Sequence, residues 1–315
     1  MKRSALYGSS LVLALAACAF AEPKPVPGMQ ALPQPHAQIS FQREGVEIAR
    51  YHFAPEQNRP FVFPIIGPSG RSLTRMGHPR DPESHSHHNS VWISHQSVNG
   101  VSLWEDRTSA RIAHVRVLRL EDEPKLAFVE TENSWNDKAG KPLLRELRRT
   151  GTRLLPNGEW MLEIDLQFEA QEAEVTLGQT PFGIIGVRMA KTIGVHDGGG
   201  TIRNSEGGVN EVECFRKPAR WCDYSGPITE TGAIEGITLM DHPMNLHHPV
   251  PFHVREDGWM GAALTFPAAH VIRPGEPLRL RYALYIHAGA PPLSALQARW
   301  EEFTKSTFEE FKVRR

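Results

Sequence analysis

The feature that most constrains the fold is a two-residue alternation of apolar and polar side chains in residues 160–169 and 278–287. Successive side chains of a β-strand point to opposite faces, so this pattern predicts strands that bury one face and expose the other. Such strands are typical of antiparallel sheets. The apolar positions are Trp160, Leu162, Ile164, Leu166 and Phe168 in the first segment, and Leu278, Leu280, Tyr282, Leu284 and Ile286 in the second.

Shorter segments and turn dipeptides extend the β pattern over most of the chain. Residues 112–118, 126–131 and 249–254 are rich in residues that favour strands. Pairs of turn-forming residues punctuate the chain, namely Asn157-Gly158, Asp197-Gly198 and Pro274-Gly275. Together these signals predict a meander of many strands.

Only the C-terminus is predicted to be helical. After a Pro-Pro pair, apolar residues recur at helical spacing, at Leu293, Leu296, Trp300 and Phe303. This spacing predicts one amphipathic helix that packs on the sheets. No internal repeat or composition break divides the rest of the chain. The sequence therefore predicts an all-β fold, a single antiparallel β-sandwich domain over residues 39–315 with a C-terminal amphipathic helix.

The N-terminus has the layout of an export signal. Residues 1–21 place two basic residues before a short apolar run and then small residues, as in a signal peptide. Leu15 to Cys18 match a bacterial lipobox, whose cysteine carries the lipid, while Ala19-Phe20-Ala21 offers an ordinary cleavage site. Residues 22–38 contain five prolines and predict an extended tether. We expect a periplasmic protein or an outer-membrane lipoprotein, with membrane contact only through a lipid on Cys18.

The charge balance narrows the classes of partner. The 35 Lys and Arg residues nearly balance the 36 Asp and Glu residues, so attraction to nucleic acid or to an anionic membrane surface is not expected.

The cysteines leave a disulfide open. If Cys18 carries a lipid, Cys214 and Cys222 remain, and an oxidising compartment would allow a disulfide between them. The alternative is two small buried side chains, and the spacing does not decide between these cases.

Histidines are concentrated in two short segments. Of the fifteen in the chain, five lie between His78 and His95, and four lie between His242 and His253. We predict that the two clusters converge in one cleft of the sandwich. Histidine titrates near neutral pH and binds metals, so such clusters indicate proton transfer, metal binding or hydrogen bonds to a ligand. For any single residue, an imidazole that contacts only water or backbone carbonyls is the ordinary alternative.

The side chains around the first cluster favour a sugar ligand. Amide, guanidinium, aromatic and carboxylate groups accompany the imidazoles, and a sugar needs directional hydrogen bonds and an aromatic face. Proton transfer at a sugar ring needs one group that takes a proton and another that supplies one. The candidate catalytic residues are His85, His87, His88, His95 and Glu105. The candidate substrate-binding residues are Arg75, Asn99, Trp104, His242, Asn245, His248 and His253.

A metal site is a further alternative at the first cluster. If residues 84–88 are extended, His85 and His87 point to one side about 6.5 to 7 Å apart while His88 faces the other way, a spacing that suits two ligands of one ion. A third ligand would come from His95, the second cluster or a carboxylate. The residues call for no particular cofactor, and a divalent metal on His85 and His87 stays open.

Six separated blocks carry a family resemblance. They are FVFPIIGPSGRSLTR (61–75), HSHHNSVWISHQSVNGVSLWED (85–106), GGGTIRNSEGGVNE (198–211), ARWCDYSGP (219–227), DHPMNLHHPVPFHVREDGW (241–259) and LRLRYALYIHAG (278–289). In these blocks the chain resembles the bacterial exported family labelled methane oxygenase PmoA. The resemblance implies a galactose-mutarotase-like supersandwich and a role beside saccharide-degradation systems. Some relatives of that sandwich use paired histidines with a glutamate to act on a sugar ring.

The residues and the resemblance together lead to one main hypothesis. The protein would be an exported carbohydrate-active protein, of hydrolase, lyase or epimerase type, that acts on a sugar or modified glycoside by His and Glu acid–base chemistry. Its partner would be a small carbohydrate or a glycan. A non-catalytic glycan-binding module and a metal-dependent hydrolase or oxygenase are the two alternatives.

Overall fold

The computed structural model describes residues 26–77 and 85–312, which consist mainly of β-strands. Strands β1 to β9 are Met29–Gln34, Gln38–Arg43, Val46–His52, Phe61–Ile65, Val91–His95, Arg111–Asp122, Leu126–Asn136, Pro142–Leu154 and Trp160–Ala170. Strands β10 to β19 are Val175–Leu177, Gly183–Arg188, Thr201–Asn204, Lys217–Pro218, Trp221–Pro227, Ile234–Asp241, Pro251–Arg255, Trp259–Ala263, His270–Ile272 and Leu278–Ala288. The predicted signal peptide, the lipobox and His78 lie outside the described residues.

Helical segments are few and mostly short in the described part of the chain. Helices α1 to α3 are Val195–Gly198, Asn210–Cys214 and Leu293–Thr304, and a 3₁₀ turn covers Pro156–Gly158. The predicted C-terminal helix is confirmed by α3, which buries Leu296 and Phe303. Over residues 26–77 and 85–312, each helix is too short or too polar to cross a membrane.

Two large antiparallel sheets form a sandwich. The first sheet has nine strands in the order β1-β2-β3-β4-β5-β11-β17-β16-β13, and the second has eight in the order β12-β14-β15-β19-β9-β8-β7-β6. A two-stranded ribbon pairs β10 with β18. Buried apolar side chains from both sheets form one continuous cluster. The prediction of an all-β antiparallel sandwich is therefore confirmed.

The two alternating segments form neighbouring strands in the middle of the eight-stranded sheet. Strands β9 and β19 pair with Leu166 opposite Leu280, so the predicted strands are confirmed. The predicted wet face is wrong in part, because α3 and the residues after it cover much of it. Asp165 and Arg281 form a buried ion pair on this face, with 2.8 Å between Oδ1 and Nε. Tyr285 packs in the apolar cluster beneath α3.

The segment predicted to be a tether contains a strand. Strand β1 lies within residues 22–38 and pairs with β2, and its Met29 is completely buried. A proline is tolerated here because β1 is an edge strand, where a missing N–H breaks few ladder bonds. Pro33 lies opposite Ile39 in this pairing. The folded domain therefore begins near Met29 and not at residue 39.

Both remaining cysteines are buried free thiols. Cys214 ends α2, and Cys222 lies in β14. Burial raises the pKa of Cys214 to about 12, so this thiol stays protonated. Of the two alternatives left open by the sequence, the structure has the pair of small buried side chains.

Candidate functional site

A cavity of about 870 Å³ lies beside strands β5, β11, β17 and β16 of the nine-stranded sheet. A volume of this size suits a small-molecule ligand. The first histidine cluster supplies His85, His87 and His88 to the lining, and the second supplies His253. Histidines about 165 positions apart in the chain thus share one cavity, as the predicted convergence requires, but only His253 of the second cluster takes part.

His85, His87 and His88 of the first cluster sit on a tight turn and not on an extended segment. The N–H of His88 donates to the carbonyl of His85 at 3.0 Å. The rings of His85 and His88 stack 4.4 Å apart, and the His87 ring stands edge-on to His88 at 4.5 Å. The prediction that His88 faces away from the other two is therefore wrong. Gly77 makes room for the turn, because a Cβ there would lie 1.9 Å from the His85 carbonyl oxygen.

Three tryptophans form an aromatic wall behind these imidazoles. The ring centroids of Trp92, Trp104 and Trp259 lie 5.3 to 5.6 Å apart, and His88 stacks on Trp259 at 5.0 Å. This packing requires Gly186 on β11, where a Cβ would lie 2.7 Å from Trp92 and 2.8 Å from Trp259. Trp104, a predicted substrate-binding residue, and Trp259 both line the cavity.

The buried guanidinium of Arg59, which no sequence pattern indicated, ties two sides of the cavity together. Its Nη1 donates to the carbonyl of His87 at 3.1 Å and to Oδ1 of Asn89 at 2.6 Å. Its Nη2 donates to the carbonyl of Trp104 at 2.8 Å and to the Asp106 carboxylate at 3.2 Å. Arg59 therefore positions the histidine turn relative to the loop that carries Trp104.

Asp257, another residue that no sequence pattern indicated, lies between a buried arginine and the histidine turn. Its Oδ1 is 3.0 Å from Nη1 of Arg188, and its Oδ2 is 3.9 Å from Nδ1 of His85. The side chains of His85 and Asp257 are 25% and 35% exposed, so both can reach a ligand. A carboxylate beside an imidazole stabilises the protonated ring. The cavity thus has one carboxylate–imidazole pair that is open to solvent.

The two most buried histidines of the cavity are held neutral. Burial, followed by the nearby His87 and Arg188, lowers the pKa of His88 far below its ordinary value. Burial, followed by the charge of Arg216, lowers the pKa of His253 to about 4. A neutral imidazole offers one hydrogen-bond donor and one acceptor. These rings therefore suit hydrogen bonding to a ligand, and His88 does not suit the predicted acid–base role near neutral pH.

Two glutamates at the cavity differ in how firmly they are held. Glu105, a predicted catalytic residue, lines the cavity and is exposed. Glu211 on α2 accepts from the backbone N–H of Glu256 at 2.9 Å and pairs with Nε of Arg255 at 2.9 Å. Of these two glutamates, Glu105 is therefore solvated and Glu211 is fixed.

His95 is a structural residue and does not line the cavity. It is completely buried at the end of β5, where its Nδ1 accepts from the N–H of Ser97 at 3.0 Å. Its Nε2 therefore carries the proton and donates to Oγ1 of Thr265 at 2.8 Å. Burial lowers the pKa of His95 to about 4. Both ring nitrogens are used within the protein, so the prediction of a catalytic His95 is not supported by its position.

Asn99 and Arg75 also lie outside the cavity lining. Asn99 and Gly100 adopt left-handed φ values of 49° and 77°, and Oδ1 of Asn99 accepts from the N–H of Thr176 at 2.8 Å. An Asn-Gly pair is a strong turn signal, so this structural role was readable in the sequence. The backbone N–H of Arg75 donates to the carbonyl of Arg188 at 3.0 Å.

Two of the four histidines of the second cluster, His242 and His248, lie under α3 and not in the cavity. Nδ1 of His248 is 2.7 Å from Oδ2 of Asp241, and its ring stacks on Trp300 of α3 with 6.0 Å between centroids. The His242 ring meets a phenylalanine of α3 edge-on at 5.1 Å. Asn245 donates to Oδ1 of Asp241 at 2.7 Å. The predicted substrate-binding roles of His242, Asn245 and His248 are therefore not supported by their positions.

The metal alternative finds no ligand set in the part of the chain that the structure describes. In residues 26–77 and 85–312, no three His, Cys, Asp or Glu side chains are grouped so that they could hold a metal ion. The ring centroids of the candidate pair, His85 and His87, lie 6.0 Å apart with an interplanar angle of 88°. The described residues thus give this pair no third ligand.

Fold and cavity together define a β-sandwich protein with a small-molecule cleft lined by histidines and tryptophans. The chain belongs to a family of unknown function, DUF6807, whose model matches residues 38–301. The match spans all six blocks on which the resemblance to the methane oxygenase family rested. That resemblance is therefore wrong.

Comparison with characterised proteins adds little on function. No curated protein matches this chain significantly. Among solved structures, 4-alpha-glucanotransferase from Thermococcus litoralis is similar, with a TM-score of 0.31 and 9% sequence identity. The alignment covers 83% of this chain and 39% of that chain, so this protein spans about two fifths of that enzyme's length. At this level of similarity, the activity of the neighbour is not transferred.

Proposed function

We propose that this protein is exported and that it binds a saccharide in the cavity beside the histidine turn, where it acts on the sugar by proton transfer. The observation that carries the proposal is the meeting of five imidazoles and two indoles in one cavity of about 870 Å³. They belong to His85, His87, His88, His196, His253, Trp104 and Trp259. Aromatic rings suit the C–H face of a sugar, and imidazoles supply directed hydrogen bonds to its hydroxyls.

The proton-transfer role falls to the groups that remain open to a ligand. His85 has Asp257 at 3.9 Å, and Arg188 orients that carboxylate from behind. Glu105 supplies a second acid–base group on the cavity wall. Sugar chemistry needs one group that accepts a proton and one that returns it, and these side chains provide both. The neutral His88 and His253 would hold the substrate hydroxyls.

A non-catalytic saccharide-binding module is the second candidate. The observation that favours it is the lowered pKa of His88 and His253, two of the five histidines that line the cavity, because a ring that stays neutral is a hydrogen-bonding group and not a proton carrier. The two candidates share the same ligand and the same cavity. They differ only in the role of His85, Asp257 and Glu105.

Calorimetric titration with a panel of mono- and oligosaccharides tests the shared part of the proposal. We expect wild-type protein to bind at least one sugar, and His87→Ala to weaken that binding about tenfold or more, as for the loss of a good hydrogen bond. His248→Ala is the matched control, because that ring contacts Asp241 and α3. Equal affinities in the two variants would remove the proposal.

Turnover assays separate catalysis from binding. If the protein is an enzyme, His85→Gln and Asp257→Asn keep sugar affinity and lose turnover of the bound sugar. If wild-type protein binds a sugar and leaves it unchanged under all conditions, the binding module is the correct function.

A further inference from the structure

A second cavity lies on the outer face of the eight-stranded sheet and shares no lining residue with the histidine cavity. Its volume is about 590 Å³, and strands β6, β7, β8, β9 and β19 contribute to its lining. The segment after α3, including Lys305 and Glu309, forms one side. Five cationic side chains line it, namely Arg119, Arg149, Arg153, Arg281 and Lys305.

Two of these arginines are held as a preorganised pair. The guanidinium carbons of Arg119 and Arg149 lie 4.6 and 5.2 Å from the centroid of the Phe128 ring. Both arginines donate to Oε1 of Glu130, at 3.0 Å from Arg119 and 2.9 Å from Arg149. Glu130 is completely buried, so it holds the pair from below. Phe311 covers Arg149 from the other side at 5.4 Å.

The outward side of this pair is taken by a carboxylate from the end of the chain. Oε2 of Glu309 lies 3.3 Å from Nη2 of Arg119 and 2.9 Å from Nη2 of Arg149. The Glu309 side chain is 62% exposed, and residues 307–312 have no regular secondary structure. A carboxylate that is exposed on such a segment gains little from its ion pairs and exchanges easily with other anions. Glu130 is completely buried, so it does not exchange with other anions in this way.

The other carboxylates near the arginine pair are engaged elsewhere or lie farther away. Asp165 is shared by Arg149 and Arg281, at 3.4 and 2.8 Å, and Glu163 pairs with Arg153 at 2.6 Å. Glu121 approaches Arg119 only to 3.9 Å and is 46% exposed, so it competes weakly.

We propose that Arg119 and Arg149 form a binding site for a carboxylate-bearing ligand, and that Glu309 is an internal occupant which this ligand displaces. A guanidinium presents its N–H donors in a planar fork that matches a carboxylate, and here Nη2 of both arginines reaches one carboxylate, that of Glu309. The adjoining cavity has room for the rest of the ligand. This site is separate from the saccharide cavity and does not depend on its function.

Acetate titration, followed through the Nε–Hε NMR signals of the arginines at constant ionic strength, tests the site. Glu309→Gln removes the internal competitor. If Glu309 leaves the site open in about a tenth of wild-type molecules, acetate should bind about tenfold more tightly to this variant than to wild-type protein. Glu310→Gln is the matched control, since Glu310 pairs with Arg279 at 2.9 Å and not with the arginine pair. It should bind acetate as the wild type does.

A second change decides whether the arginines are the ligands. Adding Arg149→Gln to Glu309→Gln should abolish the gain in acetate affinity. Arg119→Gln in the same background gives an independent test if the loss of Arg149 prevents folding, because the Arg119 side chain is 21% exposed. Circular dichroism checks that each variant is folded. Acetate affinity that is equal in Glu309→Gln and wild type, or that survives loss of either arginine in a folded variant, would overturn the proposal.

Discussion

The two histidine clusters are alike in sequence and different in use. In the first, the turn of His85 to His88 rests on a tryptophan wall and faces a cavity. In the second, His248 is held by the fully buried Asp241 and stacks on Trp300 of α3. Of the second cluster, only His253 lines the cavity together with histidines of the first. The same residue type thus lines a site in one region and fastens a helix in the other.

The packing of neighbouring elements, and not the density of histidines in the sequence, therefore determines what each histidine cluster does. Around the first cluster, Gly186 lets two tryptophan rings approach, and the imidazoles become part of an aromatic surface. Over the second cluster, α3 covers the loop, and Nε1 of Trp300 donates to the carbonyl of Asp241 at 2.9 Å. A ring that is enclosed between a carboxylate and an indole has little surface left for a ligand.

Removing the anchor of each cluster should give the largest effects. Arg59→Met leaves several buried carbonyls and Asp106 without their donor. Asp241→Ala leaves His248 without its carboxylate and Asn245 with only the Arg281 carbonyl as acceptor. We expect each change to lower the free energy of unfolding by about 3 kcal/mol, as for a broken buried polar group. Urea denaturation measures this loss.

Saccharide binding separates the two anchors. Arg59→Met should abolish it, because the histidine turn is no longer positioned, while Asp241→Ala should leave it unchanged below the unfolding transition. Loss of sugar binding in Asp241→Ala, with the fold intact by circular dichroism, would show that the two clusters are coupled. It would contradict the separate roles assigned to them.

The pH dependence of stability should be similar in both regions. The pKa values of His253 and His242 are each lowered from 6.5 to about 4, mainly by burial. Below pH 6.5 the unfolded chain takes up protons that the folded chain does not, so the stability present above pH 6.5 is lost as the pH falls towards 4. His253→Gln and His242→Gln should each reduce this loss by about 2 kcal/mol in denaturant titrations. Only His253→Gln should also weaken sugar binding.

The smallest effect is expected from the indole that covers the second cluster. Trp300→Phe removes the hydrogen bond to the Asp241 carbonyl and keeps an aromatic face over His248. We expect a loss of about 1 kcal/mol in the free energy of unfolding and no change in sugar affinity. The matched change at the cavity, Trp104→Phe, should instead cause a clear loss of sugar affinity. Similar sugar affinities in both variants would argue against the tryptophan wall as part of the site.

The fold was largely predictable because its main signals are local. The alternation that produces β9 and β19 depends only on neighbouring residues, and so does the helical spacing of α3. The prediction of a tether over residues 22–38 is wrong because prolines such as Pro33 usually indicate a loop, whereas an edge strand such as β1 tolerates them. The buried outer face of β19 could not be read locally, since it depends on where α3 packs.

The site was only partly predictable, because its key contacts join distant segments. The composition around His85 and His87 indicated a loop that lines the cavity, and the predicted Trp104 and His253 line the same cavity. Arg59 gave no signal, since its partners lie 28 to 47 positions away along the chain. Asp257 was missed for the same reason, as its pairing with Arg188 exists only in the folded protein.

Histidine-selective ¹⁵N NMR during a saccharide titration compares the two groups of histidines in one experiment. We assign His85, His87, His88 and His253 to one ligand-binding group, while His242 and His248 hold α3. We predict that a sugar which binds shifts the ring signals of these four histidines and leaves those of His242 and His248 in place. Shifts confined to the two histidines under α3, or no shift with any saccharide of the panel, would contradict this assignment.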